Sequence, residues 1–250
     1  MKPGKGGGGD KRGFYILLAL AAMAGIAILS YVATRSSGRV TMLDDVTPVP
    51  NQGHVIGSDS APVEVVEFAD FECPGCGIFA NLTEPDVRIR LVNTGMIRFR
   101  FMDFPLPIHP NTRTAHLAAW CAGDQGKFWE MHDLIFQNQD RWATQVNRRP
   151  AAFMEGLARQ VRLDMAAYES CMGSQKFAAQ IQANYEAAAA RGVPSTPTFI
   201  IGNRMVSEVL SYDELKRHVD EAIATAPPRP AQRPDSLRLD VPRETVPPRQ

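Results

Sequence analysis

Net charge is what this sequence lacks most plainly. Its 250 residues carry 27 basic and 27 acidic side chains, so the formal net charge is zero. A neutral total excludes a protein held to nucleic acid or another polyanion by bulk charge. Cysteine is scarce as well. Four residues, at 73, 76, 121 and 171, exclude a small scaffold stapled by disulfides. They leave room for one redox pair, one structural pair or a metal site. The metal reading is short of ligands: one CxxC supplies half of a tetrahedral set, and the chain has no second CxxC and no HxxxH. Neither a metal nor an organic cofactor is expected. Gly6 to Gly9 lack the strand, lysine and helix of a phosphate loop. There is no internal repeat.

What is there is unevenly placed. Residues 14–33, FYILLALAAMAGIAILSYVA, contain no charge. At 1.5 Å per residue they reach roughly 30 Å, the thickness of a bilayer's hydrocarbon core. Lys2, Lys5, Lys11 and Arg12 precede them against Asp10 alone. That bias keeps residues 1–13 cytoplasmic and carries the rest of the chain across. Arg35 and Arg39 weaken the bias without reversing it, and Tyr15 and Tyr31 sit near the two ends. A cleaved signal peptide competes with an uncleaved anchor. Its apolar region is normally 7–15 residues, shorter than this one, and Tyr31 is large for the −3 position before Thr34. A buried core helix is the third reading. Anchor or signal, the main domain is expected outside the cytoplasm, where disulfides persist.

Residues 34–60, with Ser36, Ser37, Gly38, Pro48, Pro50, Asn51 and Gly53, read as a linker. Residues 226–250 hold seven prolines and are expected to form a disordered or polyproline-like tail. Between them, residues 61–225 carry 16 basic and 20 acidic groups and all four cysteines. Pro62–Phe68 is a β-branched run that reads as a buried strand. Ile97–Phe101 alternates apolar with basic, giving one buried and one more polar face. The intervening 74–93 is expected to be helical with a kink or restart at Pro85, which makes a βαβ unit. Helices follow over 112–123, 127–138 and 150–191, the last stopping at Gly192. Thr198–Ile201 and Arg204–Val206 form a hairpin around Gly202-Asn203. Ser211 and Glu214 make a capping box that opens a final helix to about Ala224.

Cys73-Pro74-Gly75-Cys76 directly follows the first of these strands and opens the helix. A thiol at a helix N-terminus meets unpaired N–H groups and the positive end of the dipole. Its pKa therefore falls below the free value of about 8.5. Pro74 suits the first turn because no partner for its nitrogen is needed there. The spacing makes Cys73 the exposed nucleophile and Cys76 the more buried resolving thiol. Far along the chain, Val193-Pro194-Ser195-Thr196-Pro197 precedes a strand. A cis bond at Thr196–Pro197 would present backbone groups to whatever docks on Cys73. An ordinary trans proline entering a strand is the competing reading.

Glu67-Phe68-x-x-Phe71-x-Cys73-Pro74-x-Cys76, the later Thr196-Pro197-Thr198-Phe199 and the helical block between them resemble the DsbA-like thioredoxin-fold proteins. The membrane-anchored branch is the closest in flavour, with Asp103-Phe104-Pro105, Gln125–Trp129 and His132 also similar. The resemblance covers about residues 61–225. It implies an α/β thioredoxin fold with a helical insertion over about 106–191, here preceded by one transmembrane helix. It implies dithiol–disulfide exchange with secreted or periplasmic protein thiols. Cys73, Cys76, Glu67 and Pro197 would be the catalytic set, and Thr196, Pro74 and Gly75 the substrate-binding set. Glu67 matches the buried acid that helps move the resolving thiol's proton; a partly exposed strand carboxylate is its plainer reading. A membrane redox partner, either a quinone-linked reoxidase or an electron-delivering reductase, would reset the pair. The dipeptide is Pro-Gly where the strongly oxidising enzyme has Pro-His, which leaves the redox direction less secure than the chemistry. Some relatives carry a second disulfide in the helical subdomain, which makes Cys121 and Cys171 a candidate pair; two separate buried thiols, or a role in a substrate redox relay, are the alternatives. His109 and His132 read as structural or surface groups, and Phe128, Trp129 and Phe136 as core. Exchange in the oxidising direction is the leading reading. A reductase or isomerase on the same fold stays open, as does a non-catalytic binding or chaperone module.

Overall fold

Strand β3, Val63–Ala69, buries every residue but Glu64, and the domain is built around it. In the computed structural model, which describes residues 11–35, 39–43 and 52–225, β3 is an inner strand of a six-stranded sheet ordered β1-β6-β5-β3-β4-β2. It pairs in parallel with β4, Ile97–Asp103, from Val63↔Ile97 to Ala69↔Asp103. It pairs antiparallel with β5, Thr198–Ile201, which turns back into β6, Arg204–Ser207. Successive side chains of a strand point to opposite faces. Val65 therefore joins one core with Phe79, Phe99 and Phe199, while Val66 and Phe68 join another with Met102 and Ile200.

Two stretches of the segment expected as a linker, residues 34–60, are strands instead. β1, Arg39–Met42, pairs with β6, and β2, His54–Ile56, pairs with β4. Both are edge strands of four and three residues, too short to show a period of two. Val40 and Met42 also remain exposed, so neither strand carries an apolar signature. The basic face of β4 departs from expectation too. Arg100 is buried, with Nη2 2.6 Å from Glu64 Oε1 and Nη1 donating to the Gln52 carbonyl at 3.1 Å.

The β3–β4 crossover is one helical run in four pieces. α2, Pro74–Ile78, and α3, Glu84–Val87, alternate with π-helical turns at Phe79–Thr83 and Arg88–Val92. Pro85 lies in the first turn of α3, where its missing N–H does least harm. Six helices then separate β4 from β5: α4, Thr112–Gly123; α5, Phe128–Gln137; α6, Gln139–Trp142; α7, Pro150–Gln160; α8, Met165–Gly173; and α9, Ala178–Ala190. Gly192, at φ 69°, ends α9 in the left-handed region that favours glycine. α10, Tyr212–Thr225, opens on the Ser211–Glu214 box, with the Ser211 hydroxyl 2.7 Å from Glu214 Oε2. A disulfide joins Cys121 of α4 to Cys171 of α8, with the Cα atoms 5.8 Å apart.

α1, Lys11–Arg35, contains the window Gly13–Ser30, with a mean hydropathy of 2.2 and nothing buried against the domain. The reading as a buried core helix is therefore wrong; what is left is an apolar helix long enough to cross a membrane. Lys2, Lys5, Gly6–Gly9, Asp10, residues 36–38 and 44–51, the tail 226–250 and the side chains of Lys11, Arg12, Tyr31, Arg35 and Arg39 lie outside the described residues.

Cross-linking residues 50 apart in sequence restricts the unfolded chain by about 4 kcal/mol in the loop-closure account. Replacing both Cys121 and Cys171 by alanine is expected to lower the unfolding free energy by an amount of that order. Urea titration of the double variant against the parent checks this.

Candidate active site

β3 ends at Ala69, and the chain turns through Asp70–Glu72 into α2. Cys73 is the residue before the first helical turn, extended at φ −71° and ψ 123°, with Pro74 following. Its N–H bonds back to the Asp70 carbonyl at 3.0 Å, and its own carbonyl accepts from Gly77 at 3.1 Å. The thiol faces the end of the α9–β5 loop. Cys73 Sγ lies 3.3 Å from the Thr196 carbonyl, and the Thr196–Pro197 bond is cis. A Cβ added to Gly75 would meet Pro197 Cδ at 3.1 Å and Val209 Cγ2 at 3.2 Å, so the helix approaches this loop as closely as a glycine allows. Pro74 is exposed, Gly75 and Thr196 are half-buried, and Pro197 is buried.

The two thiols are free. Cys73, expected as an exposed nucleophile, is itself buried at 8% exposure because the α9–β5 loop closes over it, and Cys76 is fully buried. The Cys73 thiol is lowered from 9.0 to about 6, first by a hydrogen bond from the Cys76 side chain. Partial burial opposes this, while Thr196 and the N–H groups of Cys76 and Gly75 add to it. These N–H groups are the orphan donors of the helix start. Burial pushes the Cys76 thiol up, and the proximity of Cys73 and Glu67 pushes it further. Its sulfur does receive the Asp70 N–H at 3.5 Å.

Glu67 sits on the face of β3 that looks toward α2 and is 1% exposed, so it is no partly exposed strand carboxylate. Burial raises its pKa, the neighbouring Glu84 raises it again, and Arg88 opposes both. The sequence reading thus named residues that the fold brings to one place: Cys73, Cys76, Glu67, Pro74, Gly75, Thr196 and Pro197. The Cys121–Cys171 bond lies apart from them, between α4 and α8.

Several residues of the site went unread. Asp70 is fully buried and accepts from the N–H of Glu72 and of Leu106, each at 2.8 Å, from His109 Nδ1 at 2.7 Å, and from the Thr112 hydroxyl. Burial works against its ionised form, but the bond from His109 and the other donors hold its pKa below the usual carboxylate range. The same bond raises His109. Gln139 of α6 donates to the carbonyls of Phe71 and Cys73 at 2.7 and 2.9 Å. The only sequence signal was two acids, Asp70 and Glu72, inside an apolar run. Among the described residues no group of three His, Cys, Asp or Glu side chains is placed to hold a metal ion.

A family model described as thioredoxin matches residues 50–221, and the chain belongs to that family. Within it, the chain is 25% identical over 177 residues to disulfide bond formation protein D of Bacillus subtilis, covering 68% of this chain and 76% of that one. The solved structure of oxidised BdbD from Bacillus subtilis superposes with a TM-score of 0.62 at 22% identity, covering 73% of this chain and 98% of that one. Wolbachia pipientis α-DsbA1 gives 0.64 at 20%, covering 72% and 95%. These two likenesses show the fold. The chain is also 37% identical over 191 residues, 76% of its length, to a Na+/H+ antiporter NhaA of Salinispora tropica, but spans only 28% of that relative.

Alkylation of the reduced protein is expected to modify Cys73 alone at neutral pH, with a rate that rises through a midpoint of about 6. Mass mapping of the adduct across pH 4–9 checks both points. The sign for stability follows. A thiol depressed on folding stabilises the reduced fold fully above its unfolded value of 9.0, and that contribution is lost as the pH falls through about 6.

Proposed function

We propose that this chain is an extracytoplasmic protein thiol–disulfide oxidoreductase that donates a Cys73–Cys76 disulfide to client thiols. The observation that carries the reading is the asymmetry of the pair: a Cys73 thiol lowered to about 6 beside a fully buried Cys76 raised well above its usual value. Exchange in either direction uses this arrangement, and the lower the Cys73 pKa, the more the pair tends toward oxidising its clients. A client thiolate attacks Cys73 Sγ, the Cys73–Cys76 bond breaks, and Cys76 leaves as a thiolate that takes a proton from Glu67. A second client thiolate attacks the client sulfur of the mixed disulfide and expels the Cys73 thiolate. The client loses two electrons as its disulfide forms, and the pair gains them. A low leaving-group pKa speeds the second step and favours the reduced enzyme, which makes the pair an oxidant. The Thr196 carbonyl and Pro197 line the place where an extended client segment would lie against Cys73. Relatives named disulfide bond formation protein D support the same chemistry.

The location rests on α1. Its apolar window and the preceding Lys2, Lys5, Lys11 and Arg12 fit an N-terminal anchor with the domain on the extracytoplasmic side. Secreted or periplasmic proteins would be the clients, and a quinone-linked membrane partner would reoxidise the pair. The antiporter activity in the name of the Salinispora relative is not carried over, because the match spans 28% of that protein.

The reduction potential decides the direction. The full-length protein in detergent is equilibrated in glutathione buffers and read by alkylation and mass. A value near about −120 mV is expected of an oxidase, and one near about −270 mV would make the protein a reductase instead. A pair that never cycles would overturn exchange altogether and leave a binding module. Cys76→Ala is expected to hold clients on Cys73 as DTT-sensitive adducts, visible on non-reducing gels of extracytoplasmic extracts. Cys73→Ala is expected to abolish them.

A further inference from the structure

Whatever the direction, a proton must reach or leave Cys76, and Cys76 and Glu67 are both shut off from water. Two buried polar atoms, one of them on the acid whose charge bears on Glu67, have no hydrogen-bond partner: Glu84 Oε2 and His132 Nε2. Both side chains are 1% exposed, and these two atoms face each other at 3.7 Å. Buried polar atoms left unpaired are rare in folded proteins, and each calls for an explanation. At 3.7 Å the two stand just beyond hydrogen-bond range, and a slight turn of the Glu84 carboxyl closes the gap.

The other ends of both groups are fixed. Glu84 Oε1 accepts from Arg88 Nε at 2.8 Å. His132 Nδ1 is 2.8 Å from Asp133 Oδ1 and 3.3 Å from Arg88 Nη2. Arg88 grips Asp133 with two further bonds, at 2.9 and 2.8 Å. Nδ1 is within hydrogen-bond distance of the Asp133 carboxylate and Nε2 is beyond it from Glu84, which assigns the hydrogen to Nδ1 in this reduced protein and leaves Nε2 facing Glu84 without one. At the outer end the Asp133 and Arg88 side chains are 39% and 22% exposed. At the inner end, Glu67 stands opposite Phe101 in the β3–β4 register, and the Phe101 ring lies edge-on to His132 at 5.2 Å. Phe71 and Phe136 close two further sides of the imidazole, at 5.6 and 4.9 Å. The ionisable groups facing the pair are Glu67 from β3, Arg88 and Asp133, and, across Phe128 and Phe101, His54 and His116.

We propose that Glu84 and His132 form a proton relay that links Glu67, and through it Cys76, to solvent at Asp133 and Arg88. The inference rests on the exchange chemistry proposed above, with Glu67 as the acid beside Cys76. When Cys76 leaves as a thiolate, its sulfur takes the Glu67 proton. The Glu67 carboxylate is recharged from Glu84 and Glu84 from His132 Nε2, while Nδ1 takes a proton from the surface side at Asp133, so the ring ends as the Nδ1–H tautomer of the reduced protein. When Cys76 attacks a mixed disulfide, the proton moves outward: Nε2 takes it and the Nδ1 proton passes to Asp133, which leaves the Nε2–H tautomer for the next inward run. No electrons travel along this path. Glu84 and His132 touch neither client nor sulfur, so they are positioning and relay groups.

The test uses full-length protein carrying Cys73 as its mixed disulfide with glutathione, and follows the attack of Cys76 that releases glutathione. Rates are measured across pH 5–9 in H2O and D2O for the parent, Glu84→Gln, His132→Gln and Glu67→Gln. Both relay variants are expected to slow the step on the order of tenfold or more at pH 7. They are also expected to alter the pH profile and enlarge the solvent isotope effect, while the alkylation midpoint of Cys73 stays near about 6. A merely structural role would change the thermal midpoint and leave the isotope effect alone. His132→Gln keeps the Arg88–Glu84 pair and decides the matter if Glu84→Gln does not fold. Parent-like rates and isotope effects in the relay variants, with a slow Glu67→Gln, would overturn the relay and leave the role of Glu67 standing. A parent-like Glu67→Gln would remove the acid and the relay together.

Discussion

Four donors converge on the buried carboxylate of Asp70, and the geometry of the thiol pair depends on that convergence. Asp70 is the first residue after β3, and its donors come from its own turn, from the loop after β4 and from α4. An ionised carboxylate at 0% exposure is tolerable only when its lone pairs are occupied. The chain on all three elements is therefore fixed relative to the strand end. The same residue's carbonyl holds the Cys73 N–H and its N–H reaches Cys76. One buried charge thus sets where the strand stops, where the helix begins and how the two sulfurs sit. Asp70→Asn would keep the size but lose the charge that His109 and Thr112 satisfy, so the turn is a poor place for even a conservative change.

The inequality of the thiols follows from that placement. Cys73 sits where the unused N–H groups of α2 point, and Cys76 sits one turn further in, under the apolar roof of the helical block. Moving a thiol from 9.0 to about 6 corresponds to about 4 kcal/mol of preference for the thiolate. That preference disappears when the sulfur is locked in a disulfide. In the exchange proposed above, it would appear as a tendency of the oxidised pair to be reduced, at a client's expense. The raised Cys76 and Glu67 are the counterpart: dry groups whose burial favours the protonated form.

Local features were legible and long-range ones were not. The β-branched run of β3, the CxxC with its proline, the glycine stop after α9 and the Ser211–Glu214 box each depend on a few adjacent residues, and each element lies where its residues indicated. β1 and β2 escaped because three or four edge residues, some still exposed, cannot display a period. Arg100 looked like the polar side of a half-buried strand. Its burial is made tolerable by Glu64 and by the Gln52 carbonyl, 48 residues away in sequence. Asp70, Glu84 and Gln139 were unreadable for the same reason: each works through partners on other elements, so no spacing rule could mark them. His132 was named for its place in the resemblance and read as a structural or surface group; it is fully buried.

The helical insertion makes the sheet into a site. Six helices enter between β4 and β5, an interval in which the sheet needs only to return one strand beside β3. They contribute the Gln139 amide that clamps the Phe71 and Cys73 carbonyls, and His132 with the rings of Phe128, Trp129 and Phe136 beside it. They also contain the Cys121–Cys171 bond, whose cysteines are 1% and 6% exposed. Cys73, at 8%, is scarcely more open. What sets it apart is position: it stands at the start of α2, where N–H groups and the Thr196 carbonyl meet its sulfur. Cys121 and Cys171 lie within α4 and α8, away from any helix start, so their sulfurs have no comparable donors to favour a thiolate.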